Sequence, residues 1–152
     1  MAKYLMAVDA GTGSVRAVVF SLDGEQVGCV QREWSHREDP RWPGSMDFDW
    51  AHNWDLARGC VRGVLEEAGI APGDIAAVST TCMREGILLY DKDGSEIWAC
   101  ANVDARSTDQ VGQLKELDPA LEKEVYLKSG QTYALGGPAP YFVGAGQPAG
   151  GL

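Results

Sequence analysis

The chain has 152 residues, with 13 basic and 22 acidic side chains and a formal charge of −9, long enough for one domain with a true core. That balance argues against a nucleic-acid surface, because no basic stripe exists to displace phosphate counterions, and it disfavours an anionic membrane face. The N-terminus carries one Lys and a five-residue apolar run, Tyr4 to Val8, ahead of Asp9, too short for a signal peptide or a membrane span, so a cytoplasmic protein is expected.

In chain order, Tyr4 to Val8 and Val15 to Phe20 read as two strands, with an Asp23-Gly24 turn before a third from Gln26 to Trp34. Ser35 to Asp49, with Pro40, Pro43 and Gly44, reads as a surface loop. A helix follows from about Asp49, a plausible N-cap, to Ala68, with Gly69 as its stop. Trp50, Trp54, Ala57, Val61, Val64, Leu65 and Ala68 recur at helical spacing and are expected to face the core. Ile75 to Thr80 is expected to be a buried strand. Gly86 to Asp91 and Glu96 to Ala101 are expected to form a hairpin around Lys92-Asp93-Gly94. Helices are expected from about Ala105 to Leu117 and Pro119 to Lys128. The uncharged, Gly/Pro/Ala-rich 136–152 is expected to be a disordered tail. The order β-β-β-α-β-β-β-α-α is that of a ribonuclease H-like α/β domain with a mixed sheet and flanking helices. Cys29, Cys60, Cys82 and Cys100 are too scattered for a zinc or redox motif and read as buried thiols. His36 and His52 read as solvated or satisfied side chains.

Chemistry concentrates at Val8-Asp9-Ala10-Gly11-Thr12-Gly13-Ser14-Val15-Arg16. Gly11 and Gly13 let backbone N–H groups approach anionic oxygens, Thr12 and Ser14 add hydroxyl donors, and Asp9 can hold a hydrated Mg²⁺ against the same phosphates. Arg16 adds a permanent cation. No Gly-Lys-Ser/Thr and no helix follows the glycines, so a hairpin rather than a helix N-terminus must hold the phosphate. The bland alternative is an ordinary glycine-rich hairpin tip. A second constellation is Met83-Arg84-Glu85-Gly86, followed by Asn102, Asp104 and Arg106 at the next strand end. Alternating donors and acceptors of this kind suit a polyol, and the alternative is a set of strand-end salt bridges.

The Asp-x-Gly-Thr-x-x-x-Arg pattern between two N-terminal strands resembles the first phosphate motif of the actin-like ATPase superfamily and, within it, the FGGY carbohydrate kinases. Pro43-Gly44-Ser45-Met46-Asp47-Phe48-Asp49, Cys82-Met83-Arg84-Glu85-Gly86, Trp98 to Arg106 and Ser129-Gly130-Gln131-Thr132 occur in the family's order. The resemblance covers about Tyr4 to Leu135. It implies an ATP- and Mg²⁺-dependent kinase domain, residues 4–135, acting on a small polyol or ketose, autoinducer-2 foremost. Asp9, Gly11, Thr12, Gly13, Ser14 and Arg16 would hold Mg·ATP, and Arg84, Glu85, Asn102 and Asp104 would line the acceptor pocket, braced by Arg106. Asn102 stands where relatives often carry a pocket tryptophan, which favours a small, heavily hydroxylated ligand. The family's general base and adenosine-holding second domain are expected beyond residue 152, so no catalytic residue is assigned here. This implies a truncated, inactive piece whose exposed apolar interface favours self-association. Another sugar kinase of the family, for fuculose or xylulose, and a non-catalytic sugar- or phosphate-binding module are the competing expectations.

Overall fold

The computed structural model describes residues 3–130. The expectations for 136–152, and for Gln131 and Thr132 of the Ser129 motif, lie outside the described residues. The chain divides into two compact units, Met1–Ser35 with Asp49–Met83 and His36–Phe48 with Arg84–Leu152.

The first unit is a mixed sheet backed by one helix. Strands β1 (Tyr4–Ala10), β2 (Ser14–Ser21) and β3 (Gln26–Glu33) run antiparallel, and β4 (Ile75–Cys82) returns parallel to β1, giving the order β3-β2-β1-β4. A parallel partner requires a crossover, supplied by helix α1 (Trp50–Ala68). Its ends follow from local chemistry. The Asp49 side chain accepts from the His52 N–H, 3.0 Å away, and Gly69 takes the left-handed conformation, φ 64°, that lets its N–H close the last turn. Met6, Val15, Ala17, Val19 and Val30 from the sheet and Cys60 and Val64 from α1 form the core, and the Cys60 thiol donates to the Val15 carbonyl.

Burial departs from expectation at particular positions. Only Ile75 of β4 is even half-buried, and Ala76 to Cys82 are exposed, because β4 is the outermost strand and α1 packs over β2 and β3. On α1, Trp54 is 66% exposed while Asn53 is buried. Of the expected stripe, Val64 is buried and Ala57, Val61, Leu65 and Ala68 pack against the core, and Asn53 and Cys60 join them on the inward side. Cys29 and Cys82 are exposed and only Cys60 and Cys100 are buried, correcting the reading of all four as core thiols.

In the second unit, β5 (Ile87–Tyr90) and β6 (Glu96–Cys100) form an antiparallel hairpin. The Asp91 carboxylate accepts from the Asp93 and Ser95 N–H groups at its turn. The stretch expected to be a loose surface loop is partly ordered. Ala101 N–H donates to Met46 O (2.9 Å), Phe48 N–H donates to Ala99 O (3.2 Å), and Asp47 bridges antiparallel to Cys100. Residues 46–48 therefore act as a short third strand beside β6, and Ser45 is fully buried. Helices α2 (Thr108–Leu117) and α3 (Leu121–Ser129) meet through Val111, Leu114, Leu121 and Val125. α2 starts three residues later than expected because Asp104 to Arg106 are engaged in side-chain hydrogen bonds and turns. Among the described residues, no helix is long and apolar enough to cross a membrane.

Candidate active site

The β1–β2 hairpin places Asp9 opposite Arg16. Residues paired across neighbouring strands project to the same face, and since Val8, Ala10, Val15 and Ala17 pack on the core under α1, Asp9 and Arg16 lie on the face that α1 leaves uncovered. Arg16 Nε and Nη2 both donate to Asp9 Oδ2, at 3.1 and 2.8 Å. Asp9 Oδ1 accepts from no described residue, and the pair is open to solvent, 52% and 33% exposed for Arg16 and Asp9. The loop between the strands is held from the side: Trp34 Nε1–H donates to Thr12 O (2.8 Å) and Trp34 N–H to Gly13 O (3.0 Å). Both bonds engage loop carbonyls, which fixes the loop between the strands. Neither Gly11 nor Gly13 has positive φ, so their value is space rather than an unusual turn; a Cβ at Gly13 would meet nothing within 4 Å.

Among the described residues, no three His, Cys, Asp or Glu side chains gather into a metal cage. A hard cation that keeps water and phosphate oxygens as most of its ligands needs only one or two carboxylates. Asp9, with one carboxylate oxygen that accepts from no described residue, fits Mg²⁺ in that manner.

The end of β4 is tied to the same hairpin, because Met83 N–H donates to Ala10 O at 2.8 Å. Arg84 and Glu85 follow in sequence. Both are exposed, and neither side chain hydrogen-bonds or ion-pairs with a described residue. Glu85 is the one described non-glycine residue at positive φ, 67°, a conformation that costs about 1–2 kcal/mol and marks functional loops more often than plain connections.

Asn102, Asp104 and Arg106 leave β6 together but do different work. Asn102 is half-buried. Asp104 is 0% exposed. Its oxygens accept from Arg106 Nε (2.9 Å to each), Arg106 Nη2 (2.6 Å) and Met46 N–H (2.7 Å). Arg106 Nη2 also donates to Asp47 Oδ1 at 2.5 Å, and its guanidinium lies 5.0 Å from the Trp98 ring centre. Burial pulls this guanidinium down, yet its hydrogen bonds to Asp104 and Asp47 outweigh that and hold it above the ordinary arginine range. Burial, then the Asp104 charge, pushes the neighbouring Cys100 thiol up to about 11. Asp47 and Trp98 were given no role from sequence. Nothing local could have revealed them, since Asp47 and Arg106 are 59 positions apart.

Residues 4–142 match the N-terminal domain of the FGGY family of carbohydrate kinases. The chain belongs to that family. It is 59% identical over 133 residues to the autoinducer-2 kinase of Salmonella paratyphi B and 58% identical to that of Escherichia coli, in each case over 87% of this chain and 25% of the relative. It thus spans about a quarter of the length of these FGGY relatives. The fold agrees. A gluconate kinase from Lactobacillus acidophilus superposes with a TM-score of 0.76 at 18% identity, over 91% of this chain and 26% of that one. The glycerol kinase of Plasmodium falciparum does so at 0.72 and 13%, over 95% and 29%. At such identities the likeness concerns the actin-like fold that this FGGY segment shares.

Proposed function

We propose that this chain supplies the metal–phosphate hairpin and part of the acceptor site of an ATP-dependent kinase for a small hydroxylated molecule, with autoinducer-2 as the acceptor. The observation that carries the phosphate half is the Asp9–Arg16 pair, in which both arginine bonds fall on one carboxylate oxygen and leave the other open. Arg16 fixes the carboxylate, Asp9 would hold the magnesium ion through water, and the amides and hydroxyls of Gly11, Thr12, Gly13 and Ser14 would donate to phosphate oxygens. The magnesium ion, when bound, neutralises charge on the phosphate chain. Since Asp9 already balances Arg16, the hairpin carries little net charge of its own, and anion binding there depends on oriented donors. The 59% identity to a protein named autoinducer-2 kinase supports that acceptor over xylulose. Arg84 and Glu85, exposed and without partners among the described residues, present a fork donor and an acceptor to its hydroxyls, with Asn102 beside the scaffold that Asp104 and Arg106 build.

A chimera tests this. The matched 133 residues replace their counterpart in the Escherichia coli relative, and Mg·ATP-dependent phosphorylation of autoinducer-2 and xylulose is compared. Higher kcat/KM for autoinducer-2 is expected, and Asp9→Asn should lower kcat far more than it raises acceptor KM. A chimera that prefers xylulose removes the acceptor assignment; an Asp9→Asn chimera with parental kcat removes the phosphate site.

A further inference from the structure

The polar row on the uncovered face of the first unit's sheet has a member to which the reading above gives no part. Asp9 is flanked by Arg16 on β2 and, on its other side, by Thr81 on β4. Because paired residues share a face, Thr81 stands in the same row. Thr80 pairs with Val8 and takes the opposite face, and Ser79 sits beside Ala7, one step down the strand pair from the hairpin end. Thr81 is therefore the β4 hydroxyl level with the carboxylate. It is exposed, and its side chain bonds to no described residue. Its position is nonetheless fixed, since the β1–β4 ladder continues one pair further, Ala10 with Cys82, and closes with the Met83 N–H bond to Ala10 O at 2.8 Å.

Arg16 engages Asp9 from one flank, leaving the Thr81 flank and Oδ1 unclaimed. We propose that Thr81 is an anion-binding residue, whose hydroxyl donates to a terminal oxygen of the phosphate chain held at the Asp9 hairpin. This rests on the phosphate reading above. A neutral hydroxyl suits the place: it adds a donor in a row whose charges already cancel, and its own oxygen can accept from a metal-bound water. β4 thereby contributes to the site directly, in addition to leading into Arg84 and Glu85.

The test is calorimetric titration of the chain with Mn²⁺·tripolyphosphate, a probe that carries the phosphate chain without a nucleoside, alongside thermal unfolding. Thr81→Val keeps the shape and the strand preference while removing the hydroxyl. It should weaken binding about tenfold or more, as loss of a hydrogen bond to a charged group does, with an unchanged unfolding midpoint. Thr81→Ser should stay within about threefold of the parent, because the donor is kept. Parental affinity in Thr81→Val, or a Thr81→Ser variant as weak as Thr81→Val, overturns the proposal. Asp9→Asn separates the two readings: if it loses the probe while Thr81→Val keeps it, only the role of Thr81 falls. If Asp9→Asn also binds like the parent, or the parent itself retains no probe, the phosphate reading falls with it.

Discussion

The two aspartate–arginine pairs of this chain use the same chemistry to opposite ends. Asp104 and Arg106 are 0% and 7% exposed, and the carboxylate is saturated by the guanidinium and the Met46 amide. Asp9 and Arg16 are open to water, and the guanidinium leaves one carboxylate oxygen untouched. Both pairs come from motifs that sequence alone ranks as functional. Burial and donor count separate them: a carboxylate with every lone pair engaged in a dry site is structural, whereas a half-satisfied one at the surface is available for chemistry.

The contrast predicts unequal costs of breakage. Arg106→Met leaves Asp104 buried without its partner and should cost about 3–5 kcal/mol in urea unfolding. Asp104→Leu combined with Arg106→Met should recover much of that. A loss below about 1 kcal/mol for the single change would mean that the cluster is not what holds the 46–48 strand to β6. Next comes pH. Cys100, raised from 9.0 to about 11, stays neutral when folded but ionises earlier when unfolded, so its contribution is complete below pH 9 and is lost as pH climbs toward 11. The alkaline loss should be on the order of 2–3 kcal/mol and should vanish in Cys100→Ala, as read from unfolding midpoints across that range. Asn53 has both amide atoms buried without partners, and Asn53→Leu should therefore stabilise the first unit by about 1–3 kcal/mol; destabilisation would show that the amide is satisfied in solution. Glu85→Gly, which relieves a positive φ, should gain about 0.5–1 kcal/mol, while acceptor KM rises in the chimera. The smallest effect belongs to the exposed pair. Asp9→Asn should alter unfolding free energy by less than about 1 kcal/mol, although the same change should abolish phosphate binding.

Local signals in the sequence were reliable where neighbours along the chain decide the outcome. Asp49 as N-cap, Gly69 as stop, the Asp23-Gly24 turn and the Asp91 to Ser95 turn all follow from bonds spanning a few residues. Burial was less legible. The α1 stripe from Ala57 to Ala68 packs on the core as its spacing predicts, but in the first turn Asn53 is buried and Trp54 is exposed, a choice that the sheet beneath makes rather than the pattern. β4 has the composition of a covered strand, yet its exposure depends on what lies beside it. At the candidate site, Asp9 and Arg16 were legible because a hairpin register brings them together. The burial of Asp104 was not, since its closure depends on Met46, 58 positions away.

That separation also sets an order of assembly. The second unit is discontinuous, because residues 36–48 must wait for the chain that follows residue 84, while the intervening 49–83 belong to the first unit. On a ribosome adding about 5–20 residues per second, the segment around Met46 emerges on the order of several seconds before Arg106 exists to receive it. The sheet with α1 needs nothing beyond Met83 and is able to condense during that interval. Residues 46–48 then gain their partners in two steps, first the backbone of Ala99 and Ala101 and then the Arg106 guanidinium that joins Asp47 to Asp104.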